Sequence, residues 1–260
     1  LVDGENKMHI DLNSDLGESF GRYTLGNDEA LMPFITSANI ACGFHAGDPL
    51  VMQRTVTLCV AKQHHVGVGA HPSYPDLQGF GRREMSLSPD EVEAMIIYQV
   101  GALAGFVKSE GAELIHVKPH GALYNQAAKD RDLAEAIARG VKRFSQELIL
   151  VGLAGSKLIE AGIGVGLRVA NEGFPERGYN AEGSLMSRKL KGSIIESPEE
   201  AAANALRMAK DGIKINGLKI EVETLCIHGD NERAVEIARA IREVLLTNEI
   251  EVKGMKGMKG

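Results

Sequence analysis

The stretch LIHVKPHGALYN, residues 114–125, starts as a buried strand and then carries charge where such a strand should be apolar. Leu114, Ile115 and Val117 supply the apolar positions. Read with period two, His116, Lys118 and His120 fall on one shared face, and Pro119 marks where ladder pairing stops. One ionisable group in a strand is ordinary. Three in register ask for a special surrounding.

The flanking sequence says what that surrounding is. Short apolar runs at 8–12, 36–41, 66–70, 114–118, 148–153, 166–170 and 222–227 read as strands. Between them lie helical stripes: Val92, Met95, Ile96, Val100, Leu103 and Val107; then Leu133, Ala136, Ile137 and Val141; then Ala234, Ile237, Ala238, Ile241 and Leu245. Ser88-Pro89 and Ser197-Pro198 each put a capping hydroxyl before a first-turn proline. Strand–helix alternation from end to end means a parallel sheet covered by helices. Polar clusters close nearly every strand at its C-terminal side instead of gathering at one switch point. That favours an α/β fold of one domain, a seven-stranded (β/α) barrel, over an open doubly wound sheet. The barrel is expected over 8–252, with 1–7 as a leader before Met8 and 253–260 as a mobile tail. Segment 171–197, rich in Gly and charge, reads as an active-site loop after the sixth strand.

The same alternation runs through the other strands. Asp11, Asn13 and Asp15 oppose Ile10 and Leu12. Asn39, Ala41, Gly43 and His45 are in phase, as are Gly67, Gly69 and His71, then Arg168, Ala170 and Glu172, then Cys226, His228 and Asp230. Helices need an apolar outer face, so the polar set points into the barrel. Burying so many ionisable groups is costly unless they pair, bind metal or line a wet cavity. The expectation is a polar, water-accessible pocket at the C-terminal mouth, with Gly43, Gly67 and Gly69 leaving space beside it.

Composition narrows the partners. A chain of 260 residues with formal net charge −6 and no long Lys/Arg run is a poor ligand for nucleic acid or an anionic membrane. No run approaches the roughly 18 apolar residues of a spanning helix. Cys42, Cys59 and Cys226 are odd in number and form no CxxC, which fits a reducing cytoplasm, with Cys59 and Cys226 as small buried apolar residues. Walker, GxGxxG, GxSxG and HExxH motifs are all missing, and GIGVG at 162–166 simply ends a helix. The outer helix faces leave a homo-oligomer open.

Asp15, His45, Asp48 and His71 are the residues that could hold a divalent metal with nitrogen and oxygen ligands. The rival reading is a hydrogen-bond network in which a carboxylate orients an imidazole for acid–base work. Lys118 could hold a substrate carboxylate or phosphate, or a developing oxyanion; a structural role would instead pair it with Asp11, Glu18 or Glu172. Arg82, Arg83, Arg177 and Arg188 lie on Gly-rich loops at the mouth, which suits a small anionic substrate.

DLNSDLGESFG (11–21), SANIACGFHAGDP (37–49), GAHPSYPDLQGFGRREM (69–85), VKPHGALYN (117–125), EGFPERGYNAEGSL (172–185) and CIHGDN (226–231) together resemble the LamB/YcsF family, in order and over the chain from Met8 to about 250. The resemblance implies a seven-stranded barrel related to polysaccharide deacetylases. It also implies ATP-dependent opening of 5-oxo-L-proline to L-glutamate, with Mg as the counter-ion of ATP and two partner subunits, B and C. Ser14 stands where the family commonly has Cys, FPER where it has FADR, DNERA where it has DNPGA, and Ser187 where it has Pro.

On this reading the reaction centre consists of Asp15, Glu18, His45, His71, Lys118, His120 and His228. Substrate contacts fall to Asn13, Arg82, Glu172, Arg177, Tyr179, Arg188 and Asp230, and any metal to Asp15, His45 and His71. His116 lies deeper as a supporting residue. Two alternatives stay open: a metal-dependent, deacetylase-like amide hydrolase, and a non-catalytic ligand-binding or regulatory member of the same complex.

Overall fold

The computed structural model describes residues 8–187, 189–229 and 233–257. In chain order the strands are β1 (His9–Leu16), β2 (Ser37–Ala41), β3 (Gly67–His71), β4 (Leu114–Val117), β5 (Ile149–Leu153), β6 (Arg168–Gly173), β7 (Ile213–Ile215), β8 (Leu218–Ile220), β9 (Thr224–Ile227) and β10 (Glu251–Val252). The helices are α1 (Asp28–Leu31), α2 (Pro49–Val60), α3 (Pro89–Ser109), α4 (Gly121–Ala127), α5 (Arg131–Phe144), α6 (Lys157–Gly164), α7 (Pro198–Asp211) and α8 (Ala234–Thr247). Strands β1 to β6 and β9 pair in parallel in that order. Pairing of β9 back onto β1, with Asp11 opposite Thr224 and Asn13 opposite Cys226, closes the seven-stranded ring. The expected barrel is the observed one.

Period two sorts each barrel strand between two environments. Ile10, Leu12, Ile40, Val68, Val117 and Leu150 face outward into one core with Val92, Ile96, Val100, Ile137 and Ile241 of the helices. Each such side chain, fully buried, contributes about 1.5–3 kcal/mol. The two Ser-Pro starts behave as read. Ser88 Oγ accepts from Glu91 N while Glu91 Oε2 accepts from Ser88 N at 2.8 Å, and Ser197 Oγ accepts from Glu200 N at 3.2 Å.

Four expectations change. Helix α3 is, by length and composition, apolar enough to cross a membrane. It packs instead on the barrel, with Val92, Ile96, Val100 and Leu103 wholly buried. The tail from Lys253 is anchored over its described part: Lys253 N donates to Ile10 O at 3.0 Å, and Met255 seals the barrel floor with Ile149, Val151 and Ala170. The leader 1–7 and residues 258–260 lie outside the described residues. The space expected beside Gly69 is filled, because a Cβ there would lie 2.0 Å from His116 Nε2; the glycine admits the imidazole. Finally, β7 and β8 form an antiparallel hairpin outside the barrel that periodicity did not reveal.

Candidate functional site

Above the apolar floor, the barrel interior is a dense hydrogen-bond network. Asp11 accepts from Ser37 Oγ at 2.6 Å, Thr36 Oγ1 at 2.8 Å and Thr224 Oγ1 at 2.5 Å. Burial still pushes its carboxyl up to about 6. Asn39 Nδ2 donates to Asn13 Oδ1 at 2.7 Å and to Asp15 Oδ1 at 2.9 Å, and His116 Nε2 lies 2.7 Å from Asn39 Oδ1. Burial and the nearby Lys118 hold His116 down at about 3, so it is a neutral supporting residue, as expected.

Lys118 sits on this layer. Its Nζ, buried with the rest of the side chain, lies 2.8 Å from Glu172 Oε1, 3.0 Å from Asp15 Oδ1 and 3.2 Å from Asn13 Oδ1. It also touches Cys226 Sγ at 3.1 Å, so Cys226 is more than the apolar filler expected of it. Burial alone would lower the lysine's pKa; Asp15, Cys226 and Glu172 outweigh it and raise it well above its ordinary value. Burial likewise works against the Asp15 carboxylate, and His71 and Lys118 reverse this, holding it well below the usual range. The result is a buried ammonium balanced by two carboxylates. Tyr124, four residues after His120 on α4, donates its hydroxyl to Glu172 Oε2 at 2.7 Å.

Three histidines gather beside Asp15. His71 ends β3, His120 precedes α4, and His45 follows β2. His120 Nδ1 lies 3.0 Å from His71 Nε2, which is 3.4 Å from Asp15 Oδ2. The His45 and His120 rings stack at 3.8 Å between centroids, and Glu18 Oε1 lies 3.6 Å from His45 Nε2 and 3.7 Å from His120 Nδ1. Burial, with the neighbouring histidines, keeps His45 well below its ordinary pKa and His120 down at about 3. Gly81, at φ +64°, lets the 76–83 loop cover this cluster; a Cβ there would lie 2.2 Å from Ser73 Oγ and 2.9 Å from His45 Cβ.

Asp15, Glu18, His71, Lys118, His120 and His228 all line one cavity of about 640 Å³ at the C-terminal mouth, along with Arg82 and Arg177. His45 lies behind this wall, wholly buried. Asn13 and Glu172, expected to touch substrate, are buried in the layer below and hold Lys118 from beneath. Tyr179 is turned inward, its hydroxyl accepting from Phe174 N at 2.8 Å. Arg177 ties the 174–197 loop by donating to Ser193 O at 3.1 Å and Met186 O at 2.6 Å. Arg82 lies over the Phe80 ring at 4.9 Å, whereas Arg83 is engaged with Asp76. Asp48 is excluded as a metal ligand: its carboxylate caps α2 through Leu50 N and Val51 N and accepts from Gly21 N. Arg188 and Asp230 lie outside the described residues.

One residue went unremarked in the sequence although it stands in FPER. Glu176 Oε2 accepts from His228 N at 3.0 Å and lies 3.1 Å from His228 Nδ1, orienting that imidazole at the cavity wall. Among the described residues, two groups are placed to hold a cation: Glu18, His45, His71 and His120, and separately Asp15, Cys226 and His228. Cys42 is buried and its thiol is pushed up to about 12 by burial, which removes it as a nucleophile.

The LamB/YcsF family pattern matches residues 10–260. A Pyrococcus furiosus protein, named as the A component of 5-oxoprolinase, is 55% identical over 252 residues, covering 95% of this chain and 98% of its own. A Geobacillus kaustophilus protein of the same name is 53% identical over 248 residues, covering 94% and 96%. The crystal structure of a lactam utilization protein from Thermus thermophilus superposes with a TM-score of 0.88 at 50% identity, covering 95% of this chain and all of that one. With its motifs set around one barrel mouth, the chain belongs to the LamB/YcsF family.

Proposed function

We propose that this chain opens the lactam ring of 5-oxo-L-proline to L-glutamate, coupled to ATP hydrolysis and assembled with partner subunits B and C. The names of its relatives support the substrate. The observation that carries the chemistry is the Lys118 ammonium, buried between Asp15 and Glu172 in the cavity wall. A positive charge fixed in a low-dielectric wall stabilises an oxyanion far better than water does. A lactam amide is a poor electrophile, so phosphorylation of its oxygen by ATP makes the ring carbon reactive. Water then adds, His228 held by Glu176 takes its proton, and the ring C–N bond breaks with a proton delivered to nitrogen. A second water hydrolyses the resulting acyl phosphate. The balance is 5-oxoproline, ATP and two waters in; glutamate, ADP and phosphate out.

Arg82 at the mouth is suited to the substrate carboxylate. A small lactam fills a minor part of 640 Å³, which leaves room for the activating phosphoryl group. Three unpaired buried thiols suit work in the cytoplasm. The test is glutamate release from 5-oxoproline and ATP by subunits B and C, with and without this chain. Release that needs all three and ATP is expected. Release without this chain would overturn the reading, and release without ATP would shift it to a simple amide hydrolase.

A further inference from the structure

The histidine cluster holds more lone pairs than protons. His71 Nδ1 lies 2.6 Å from Lys118 O, and His120 Nε2 lies 2.9 Å from Phe80 O. A carbonyl oxygen only accepts, so each of those nitrogens carries the ring hydrogen. With both rings neutral, the other nitrogen of each is bare. Those two bare nitrogens, His71 Nε2 and His120 Nδ1, face each other at 3.0 Å, with Asp15 Oδ2 at 3.4 Å from the first and Glu18 Oε1 at 3.7 Å from the second. In that state four electron-rich atoms converge, and a proton or a cation must sit among them. Something positive belongs in the gap.

We infer that this gap is a divalent transition-metal site, held by His71 Nε2, His120 Nδ1 and Glu18 Oε1, with His45 as the fourth ligand. The ligand atoms of these four residues lie within 4.8 Å of one another. A tetrahedral ion with bonds of roughly 2.0–2.1 Å sets its ligand atoms about 3.3 Å apart, so the shell closes with small side-chain rotations. His45 makes the largest. Its stacking on His120 holds the two ring planes parallel, and one ion cannot lie in both. Yet His45 is wholly buried with no hydrogen-bond partner on either ring nitrogen among the described residues, so no hydrogen bond opposes turning the ring. Backbone carbonyls behind His71 and His120 are the usual outer partners of metal-bound imidazoles. A three-imidazole, one-carboxylate set suits Zn²⁺ or Co²⁺ better than Mg²⁺.

The neighbouring group of Asp15, Cys226 and His228 is the poorer host, because the Lys118 ammonium lies 3.0 Å from Asp15 and 3.1 Å from Cys226 and repels a cation. The competing occupant of the histidine gap is an extra proton on His71, donated from Nε2. The site does not rest on the ring-opening reading, and it is tested on this chain alone.

Chelator-treated full-length chain is titrated with Zn²⁺ and with Co²⁺, the latter followed by its visible absorption. One equivalent bound is expected. Glu18→Gln and His120→Ala should weaken binding by more than about 100-fold, while His9→Ala, an exposed control, leaves it unchanged. Should a variant fail to fold, imidazole ¹⁵N spectra of the wild type decide: Zn²⁺ should move the His45, His71 and His120 signals and spare those of His9, His64, His65, His116 and His228. Absence of saturable one-to-one binding, variants that bind like wild type, or a His71 that keeps hydrogens on both nitrogens in Zn²⁺ would each overturn the assignment.

Discussion

The barrel holds two polar regions stacked on one another, and they are built on opposite principles. In the lower one, Thr224, Asn13 and Asn39 donate hydrogen bonds that link Asp11, Glu172 and one another. In the upper one, His45, His71, His120 and Glu18 crowd acceptors together. Both are buried, and both are rich in the same residue types. Partnered donors and acceptors fix structure, whereas crowded imidazoles such as His45, neither of whose ring nitrogens has a hydrogen-bond partner among the described residues, keep capacity for a ligand, a proton or an ion. Lys118 belongs to both, held from below by Glu172 and open to the cavity above.

Lys118→Met should have the largest effect, since it strikes both regions. In the reconstituted reaction, turnover should drop by about 10²–10³-fold. Leaving Glu172 and Asp15 buried without their cation should also lower unfolding free energy by about 3–5 kcal/mol, read by denaturant titration. A fully active Lys118→Met would remove the ammonium from the chemistry. Next comes Glu176→Gln, which confines damage to the upper wall. Turnover should fall by roughly 10²-fold with KM nearly unchanged, and Glu176→Asp should recover part of it. Equal loss in both variants, or a change in KM alone, would make Glu176 a binding residue instead.

Gly69→Ala tests the lower region. Its new Cβ would collide with His116, and the fold should lose about 1–3 kcal/mol. The smallest effect belongs to His116→Gln, about 1 kcal/mol at pH 7.5. Its pH dependence has a definite sign. His116 in the folded protein takes up a proton only near pH 3, whereas the unfolded histidine does so near 6.5. The unfolded state therefore binds more protons between those values, and the wild type loses up to about 1.4 kcal/mol per pH unit on acidification from this group alone. The glutamine variant lacks that loss. The stability gap between the two should close as pH falls from 6.5, and a widening gap would show that the histidine is charged when folded.

Much of this was legible in the sequence because alternation is a geometric constraint. A strand residue can face only the helices or the interior, so parity alone placed Asp11, Asp15, His71, Lys118 and Glu172 inside. Depth was harder to read. Period two does not tell the top of the barrel from the middle, so Asn13 and Glu172 were expected at the cavity mouth although they lie a layer beneath its lining. Loops carry no period at all. Glu176 and Tyr179 lie on the segment after β6, where backbone turns decide which side chain points inward. Asp48 illustrates a further ambiguity: a carboxylate before Pro49 can be a ligand or a helix cap, and its two backbone donors make it a cap.

The division of labour between the two layers is tested most directly by turnover per folded molecule in the reconstituted, ATP-dependent reaction for two histidine variants side by side. His228→Asn alters the cavity wall, and His116→Gln alters the layer below. The expected result is that His228→Asn loses roughly 10²-fold or more in turnover with its melting temperature intact, while His116→Gln melts lower and turns over like the wild type. Turnover lost in His116→Gln and kept in His228→Asn would contradict the account.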